Sequence, residues 1–159
     1  MIEESTLVLI KPDAVQRRLI GQIISRFERK GLRLAAMKIM NVTEESARQL
    51  YSVHEGQHFY EPLVRFATLA PLVAMVVCGK DAISVSRSLL GKTNSAKAHP
   101  GTIRGDFGVS YRFNLVHGSD SVESAAKEIP IFFEEHEILD YDPSDIEWIY
   151  DFSVGGEPI

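Results

Sequence analysis

A chain of 159 residues, 45% hydrophobic and 25% charged with a net charge of −5, has the size and make-up of one compact domain spanning residues 1 to 159. Its longest apolar run, Pro71 to Cys78, falls far short of the roughly 20 residues that a membrane helix needs, and its single cysteine, Cys78, excludes an internal disulfide. With two acids and no base in the first six residues, no export signal is expected, and a reduced thiol in an apolar run predicts a cytoplasmic protein.

Ser5 to Ile10 (STLVLI) is rich in β-formers and predicts a first strand ending at Lys11-Pro12-Asp13, where the proline opens a loop. Apolar residues at Leu19, Ile20, Ile23, Ile24 and Phe27 recur with helical spacing, and Gly31 stops a helix predicted from about Gly21 to Lys30. Leu32 to Val42 predicts a second strand. Thr43-Glu-Glu-Ser is an N-cap with acids in the first turn of a helix reaching Tyr51, and a further helix is expected from about Phe59 to Thr68. Pro71 to Cys78 reads as a strand buried on both faces, after which Asp81 caps a helix ending near Gly91. Lys92 to Ser110 reads as a long ordered loop, Tyr111 to Val116 as a fourth strand, and Asp120-x-x-Glu123 as the capping-box start of a helix running to about Glu134. Four strands interleaved with helices give an α/β sandwich whose strand order the pattern leaves open.

Charge is segregated along this order. Residues 1 to 127 hold all 17 Lys and Arg against 12 Asp and Glu, a net +5, whereas residues 128 to 159 hold ten acids and no base, a net −10. A basic body attracts anionic ligands such as phosphates. The acidic tail, from about residue 136, carries Tyr141, Trp148, Tyr150 and Phe152, which suggests docking onto a surface.

Gly91-Lys92-Thr93 resembles the end of a phosphate-binding Walker loop but fails two checks: the first glycine would be residue 86, which is Ser86, and the tripeptide follows a helix rather than a strand. His117 is the better candidate for phosphate chemistry. It closes a predicted strand, and Gly118, Ser119 and Asp120 follow it into a helix N-terminus, which offers backbone donors to anions. Neutral imidazole, with an unperturbed pKa of about 6.5, keeps a lone pair able to attack phosphorus near neutral pH. No cluster of Asp, Glu or His with metal-ligand spacing is visible.

Asn114 to Ala125 (NLVHGSDSVESA) resembles the active-site signature of the nucleoside diphosphate kinases. Leu9-Ile-Lys-Pro-Asp-Ala-Val resembles that family's first-strand motif, Arg18-Leu-Ile-Gly-Gln-Ile its following helix, and Pro100-Gly-Thr-Ile-Arg-Gly-Asp-Phe its phosphate-side loop, all in family order. The resemblance implies a ferredoxin-like α+β sandwich with a four-stranded antiparallel sheet covered by helices. It also implies ping-pong transfer of the γ-phosphate of a nucleoside triphosphate to a nucleoside diphosphate, through a phosphohistidine at His117 and with broad base specificity. On the same resemblance Glu128 orients the imidazole and Ser119 steadies Glu128. Lys11, Tyr51, Arg87, Thr93, Arg104 and Asn114 contact phosphates and sugar, and Phe59 stacks on the base. Mg2+ is implied, held mainly by the nucleotide phosphates, with Asp120 reaching it through water or serving only as a helix cap. A homotetramer or homohexamer is expected, with no membrane partner and no nucleic acid as main partner.

The chain departs from the family pattern at three places. Ala14 stands where glycine is usual, Ser95 replaces a common loop proline and so predicts a softer, less stable loop, and Gln57-His58 precedes Phe59 in place of a basic residue and proline. Two rival functions compete. A non-catalytic ligand-binding member of the same fold is disfavoured because every catalytic position holds the expected residue type. An RNA-binding module is disfavoured by the acidic net charge and by the lack of an RNP-like aromatic motif.

Overall fold

Every residue of β1 (Glu4–Ile10) pairs with β3 (Leu72–Gly79), in antiparallel register from Glu4↔Gly79 to Ile10↔Val73, in a computed structural model that describes residues 3–156 and 158. β1 also pairs with the short β4 (Val116–Gly118), and β3 pairs with β2 (Arg33–Met40), so the sheet order is β2-β3-β1-β4 with every neighbour antiparallel. Strand and helix order along the chain is that of a ferredoxin-like α+β sandwich, as expected. Alternation along the two central strands splits the core. Leu7, Leu9, Ala74 and Val76 face α3 (Glu44–Leu50), α4 (Tyr60–Ala67) and α7 (Val122–Phe132). Val8, Ile10, Val73, Met75 and Val77 face α2 (Ile20–Arg29) and α5 (Ala82–Leu90). Both faces are covered, which is why β3 reads as an unbroken apolar run.

Four local readings need correction. Pro12 does not open a loop: it sits at N1 of α1 (Pro12–Gln16), where the amide hydrogen it lacks would have had no partner in the helix. Ala14 is inside this helix and buried, so no positive φ is required of it. The fourth strand lies further on than Tyr111 to Val116, because β1 ends at Ile10 and leaves no ladder for residues before Val116, while Leu115 turns the chain with φ +74°. Asp81 takes a left-handed φ of +52° and makes no side-chain cap; Glu4, adjacent across the ladder from Gly79, accepts instead from the Ile83 amide at 2.7 Å. Ser121, not Asp120, caps α7 by accepting from the Ser124 amide at 3.0 Å, and Asp120 accepts from the Ser124 hydroxyl at 2.6 Å.

The stretch from Lys92 to Ser110 is not all loop. Asn94 caps a 3-10 turn at Ser95–Lys97, and Thr102 caps α6 (Ile103–Phe107). Ser95 is 2% exposed and packed into this stretch. The tail docks through some of its aromatics. The Leu139 amide donates to the Ala35 carbonyl at the bulge of β2, and the Tyr141 hydroxyl donates to Leu34 O at 2.9 Å. Further on, α8 (Ile146–Ile149) brings Ile149 onto Gly31, where φ is +88° and a Cβ would stand 2.6 Å from the Ile149 side chain. Trp148 stays 91% exposed. Among the described residues no helix is long and apolar enough to cross a membrane.

Candidate active site

His117 lies inside β4, opposite Leu9 in the ladder, and partners directly opposite share a face. Leu9 faces α7, and so does the imidazole. On α7, Glu128 stands three residues after Ala125 and four before Phe132, both buried, which puts its carboxylate on the inward stripe. The two meet: His117 Nε2 is 2.9 Å from Glu128 Oε2, and the Ser119 hydroxyl donates to the same oxygen at 2.7 Å. Ser119 is fixed by β1, since its hydroxyl accepts from the Leu7 amide at 3.3 Å and its own amide donates to Leu7 O. An ionised carboxylate only accepts, so Nε2 carries the hydrogen and the lone pair is on Nδ1. Among the described residues Nδ1 has no hydrogen-bond partner, and the histidine is partly exposed.

A second cluster surrounds Lys11, at the end of β1. Its ammonium donates to Asn114 Oδ1 at 2.7 Å and to the Arg112 carbonyl at 3.4 Å and lies 5.2 Å over the Phe66 ring, itself tilted against Phe113. The Asn114 amide nitrogen donates to the Thr93 carbonyl at 3.0 Å, leaving the exposed Thr93 hydroxyl unused by this contact. Arg104, carried by α6 and 5% exposed, braces three carbonyls: Asn114 through Nε, Gly91 through Nη1 and Val116 through Nη2. A guanidinium has five N–H donors, so two remain. Arg87, exposed on α5, reaches the Gly118 carbonyl at 3.4 Å.

Electrostatics in this cluster favours an anion. Burial pushes the Lys11 ammonium down to about 8, the nearby Asp13 charge working the other way and Arg104 adding to the fall. Burial, with Arg87 beside it, pushes Arg104 down to about 10. Tyr51 caps the end of α3 and is pushed up to about 12, by burial first and then by the Glu128 and Asp13 charges, so its hydroxyl remains a donor at neutral pH. Phe59, half-buried ahead of α4, is edge-on to His54 and His58 with centroids 5.2 and 5.3 Å away. His58, which with Gln57 stands in place of the expected basic residue and proline, is thus one of the ring's neighbours, and His54 is the other.

Sequence reasoning missed Asp13, whose Oδ2 accepts from the Leu115 amide at 3.0 Å. The available signal was an acid in the first turn behind a proline at N1, next to Lys11. It also missed Glu4 as the cap of α5. A surface concavity lies elsewhere, along the tail from Asp142 to Phe152, and the described residues of its walls include acids and aromatics but no cation to receive a phosphate. Among the described residues no three His, Cys, Asp or Glu gather as a metal site.

The family model described as nucleoside diphosphate kinase matches residues 4–138. A nucleoside diphosphate kinase of Bacillus licheniformis is 54% identical over 147 residues, which are 92% of this chain and 99% of the relative. One from Staphylococcus epidermidis is 52% identical over 148 residues, 93% and 99% of the two chains. The solved structure of a halophilic nucleoside diphosphate kinase from Halobacterium salinarum in complex with CDP matches with a TM-score of 0.91 at 44% identity, covering 94% of this chain and 99% of that one.

Proposed function

The chain belongs to the nucleoside diphosphate kinase family, phosphotransferases that pass a γ-phosphate between nucleotides through a phosphohistidine, and from that premise we propose that His117 Nδ1 is its nucleophile. One observation carries the assignment: Nε2 is committed to Glu128, which leaves Nδ1 with its lone pair and without a partner among the described residues. As Nδ1 bonds to the γ-phosphorus, the P–O bond to the β-phosphate breaks and the nucleoside diphosphate leaves with the electron pair. Positive charge grows on the ring, and the Glu128 carboxylate at Nε2 offsets it while Ser119 holds that carboxylate in place. The second nucleotide takes the phosphoryl group by the reverse of these steps.

Lys11, Arg87 and the two spare N–H groups of Arg104 offset charge on the transferred and bridging oxygens, which is most of what phosphoryl transfer asks of a protein. The Tyr51 hydroxyl donates to phosphate, and Asn114 and Thr93 hold sugar hydroxyls and phosphate. Phe59 stacks on the base, and stacking of roughly 1–3 kcal/mol tolerates any base, hence broad specificity. Mg2+ would be carried mainly by phosphate oxygens and water, with the Asp120 carboxylate, held below the usual range by its bond to Ser124, as a side chain that could reach it through water; bound there, the ion would neutralise phosphate charge.

We further read the whole chain as one domain with a docked tail, working in the cytoplasm as a homotetramer or homohexamer. Edge strand β2 with Met37 and Ile39 more than half exposed supports burial against another subunit. Incubation with γ-labelled ATP and magnesium followed by a base quench tests the mechanism, since phosphohistidine survives base and is lost in acid. One label per chain is expected, on Nδ1 and absent in His117→Ala. An unlabelled protein, or a variant labelled as strongly as the parent, refutes it.

A further inference from the structure

The turn that delivers His117 to the sheet is strained, and the residue holding it is outside every role assigned above. Asn114, Leu115 and Val116 form a three-residue turn closed by the Val116 amide donating to Asn114 O at 2.9 Å, with Leu115 at φ +74°. Such positive-φ three-residue turns are rare and unfavourable, and more so for a bulky residue than for glycine. Leu115 cannot escape outward because its side chain is fully buried in the core under α5. Both its backbone groups are bonded to one short segment: its carbonyl accepts from the Lys11 amide at 2.8 Å, and its amide donates to Asp13 Oδ2 at 3.0 Å.

From this arrangement we infer that Asp13 is a positioning residue for phosphoryl transfer, its carboxylate clamping the strained Leu115 turn so that Asn114 meets Lys11 and His117 enters β4 facing Glu128. The turn is the joint between the two clusters of the site. At its start Asn114 accepts from the Lys11 ammonium and from Arg104; at its end Val116 accepts from Arg104 and pairs with Ile10, which sets His117 opposite Leu9. Without an acceptor for the Leu115 amide, the cheapest relaxation is for residue 115 to return to negative φ. That rotates the peptide planes on either side, moving the Asn114 carbonyl off Arg104 and the start of β4 off its register. Asp13 suits the task because α1 begins with Lys11 as N-cap and Pro12 at N1, which fixes the direction of the next side chain. Its other oxygen, Oδ1, is buried and without a partner among the described residues, so the carboxylate is not there for its own solvation.

The inference rests on the reading of His117 as nucleophile, and the test separates the two. Asp13→Asn keeps an oxygen to accept from the Leu115 amide and removes the charge; Asp13→Ala removes both. Two quantities are measured: the rate of His117 labelling at saturating ATP, and hydrogen exchange of the Leu115 amide in the protein without nucleotide. Loss of a hydrogen bond to a charged group is expected to slow labelling in Asp13→Ala by about tenfold to a hundredfold and to speed exchange at Leu115 at least about tenfold, with Asp13→Asn within roughly fivefold of the parent in both. Labelling unchanged in Asp13→Ala at a temperature where it is folded overturns the inference, as does an equally protected Leu115 amide. An asparagine variant as slow as the alanine one overturns it too, because the charge beside Lys11 would then be what matters. If the parent protein itself is not labelled, the nucleophile reading fails, and exchange at Leu115 still decides whether Asp13 holds the turn.

Discussion

Replacing Glu128 by glutamine separates the charge of that residue from its shape. Two donors converge on Oε2, His117 Nε2 at 2.9 Å and the Ser119 hydroxyl at 2.7 Å, and a carboxamide oxygen in the same place can receive both. What it lacks is the negative charge. Hydrogen bonds to charged groups contribute about 1.5–3 kcal/mol against about 0.5–1.5 kcal/mol for neutral ones, so the substitution removes roughly 1–1.5 kcal/mol. That loss falls mostly on the transition state, because the ring becomes positive only as the N–P bond forms. At about 1.4 kcal/mol per tenfold, Glu128→Gln is expected to slow phosphohistidine formation about five- to tenfold. Glu128→Ala leaves both donors unpaired and is expected to cost about tenfold to a hundredfold. Rapid-quench measurement of the first turnover at saturating γ-labelled ATP isolates the step. A glutamine variant equal to the parent refutes the electrostatic role, and one as slow as the alanine variant refutes the claim that geometry survives the exchange.

The pH profile of kcat/KM follows the free protein, so with the Lys11 ammonium pushed down to about 8 by burial it is expected to fall above about pH 8, approaching tenfold per unit; a flat profile from pH 7 to 9.5 contradicts this. Stability moves the other way from this group: between about 8 and the unfolded value of 10.5 the unfolded chain holds the proton that the folded one has released, so a denaturation series shows a contribution that rises with pH through that window. Lys11→Met removes a buried cation whose depressed proton affinity corresponds to roughly 3 kcal/mol, less about 1 kcal/mol for each of its bonds to Asn114 and Arg112, so the melting temperature without nucleotide is expected to rise by about 2–4 °C while the nucleotide-induced rise shrinks; a lower melting temperature would count against the burial cost. Ser95→Pro is expected to raise the melting temperature by about 1–4 °C with kcat unchanged, because Asn94 is already extended at ψ 105° and the Ser95 hydroxyl is buried without a partner among the described residues; no gain in a thermal melt contradicts it.

How much of this was legible in the chain depended on whether the signal was local. The helix over α2 is written in Ile23, Phe27 and their neighbours at helical spacing, and the Thr43 cap and the buried run of β3 are likewise self-contained. Glu128 was partly legible too, since Ala125 and Phe132 mark its face of α7. Several of the failures were places where a distant partner decided the local conformation. Tyr111 to Leu115 has strand-like composition, but β1 stops at Ile10 and denies it a ladder. Asp81 has the composition of a cap, but Glu4 does the capping from 79 residues away. The Leu115 amide finds its acceptor 102 residues upstream, and nothing in the run NLVHGSDS announces a left-handed leucine. The family resemblance named the candidate residues, but only the fold reveals that Arg104 spends three donors on backbone carbonyls.

The division of the site between rigid and exposed parts follows from where β1 runs. Its neighbours on both sides are strands, so what it touches is held: Leu7 fixes Ser119, Leu9 fixes His117, and the residue after its end, Lys11, meets Asn114. The proposed nucleophile, His117, therefore sits on a strand paired to β1, and Glu128, proposed to orient it, is held by Ser119 just beyond that strand, as preorganisation of charge requires. Arg87, Thr93 and Phe59 sit on exposed or half-exposed segments around that centre, and on the proposed reading they would grip a nucleotide by its phosphates and by one ring face. A ping-pong transfer needs this combination. The covalent step must find the same geometry in both directions, while the grip must accept one nucleotide, release it and accept another of different base. Burial of Lys11 and Arg104 would strengthen the proposed grip, since their positive charge is least favourable when no polyphosphate is bound.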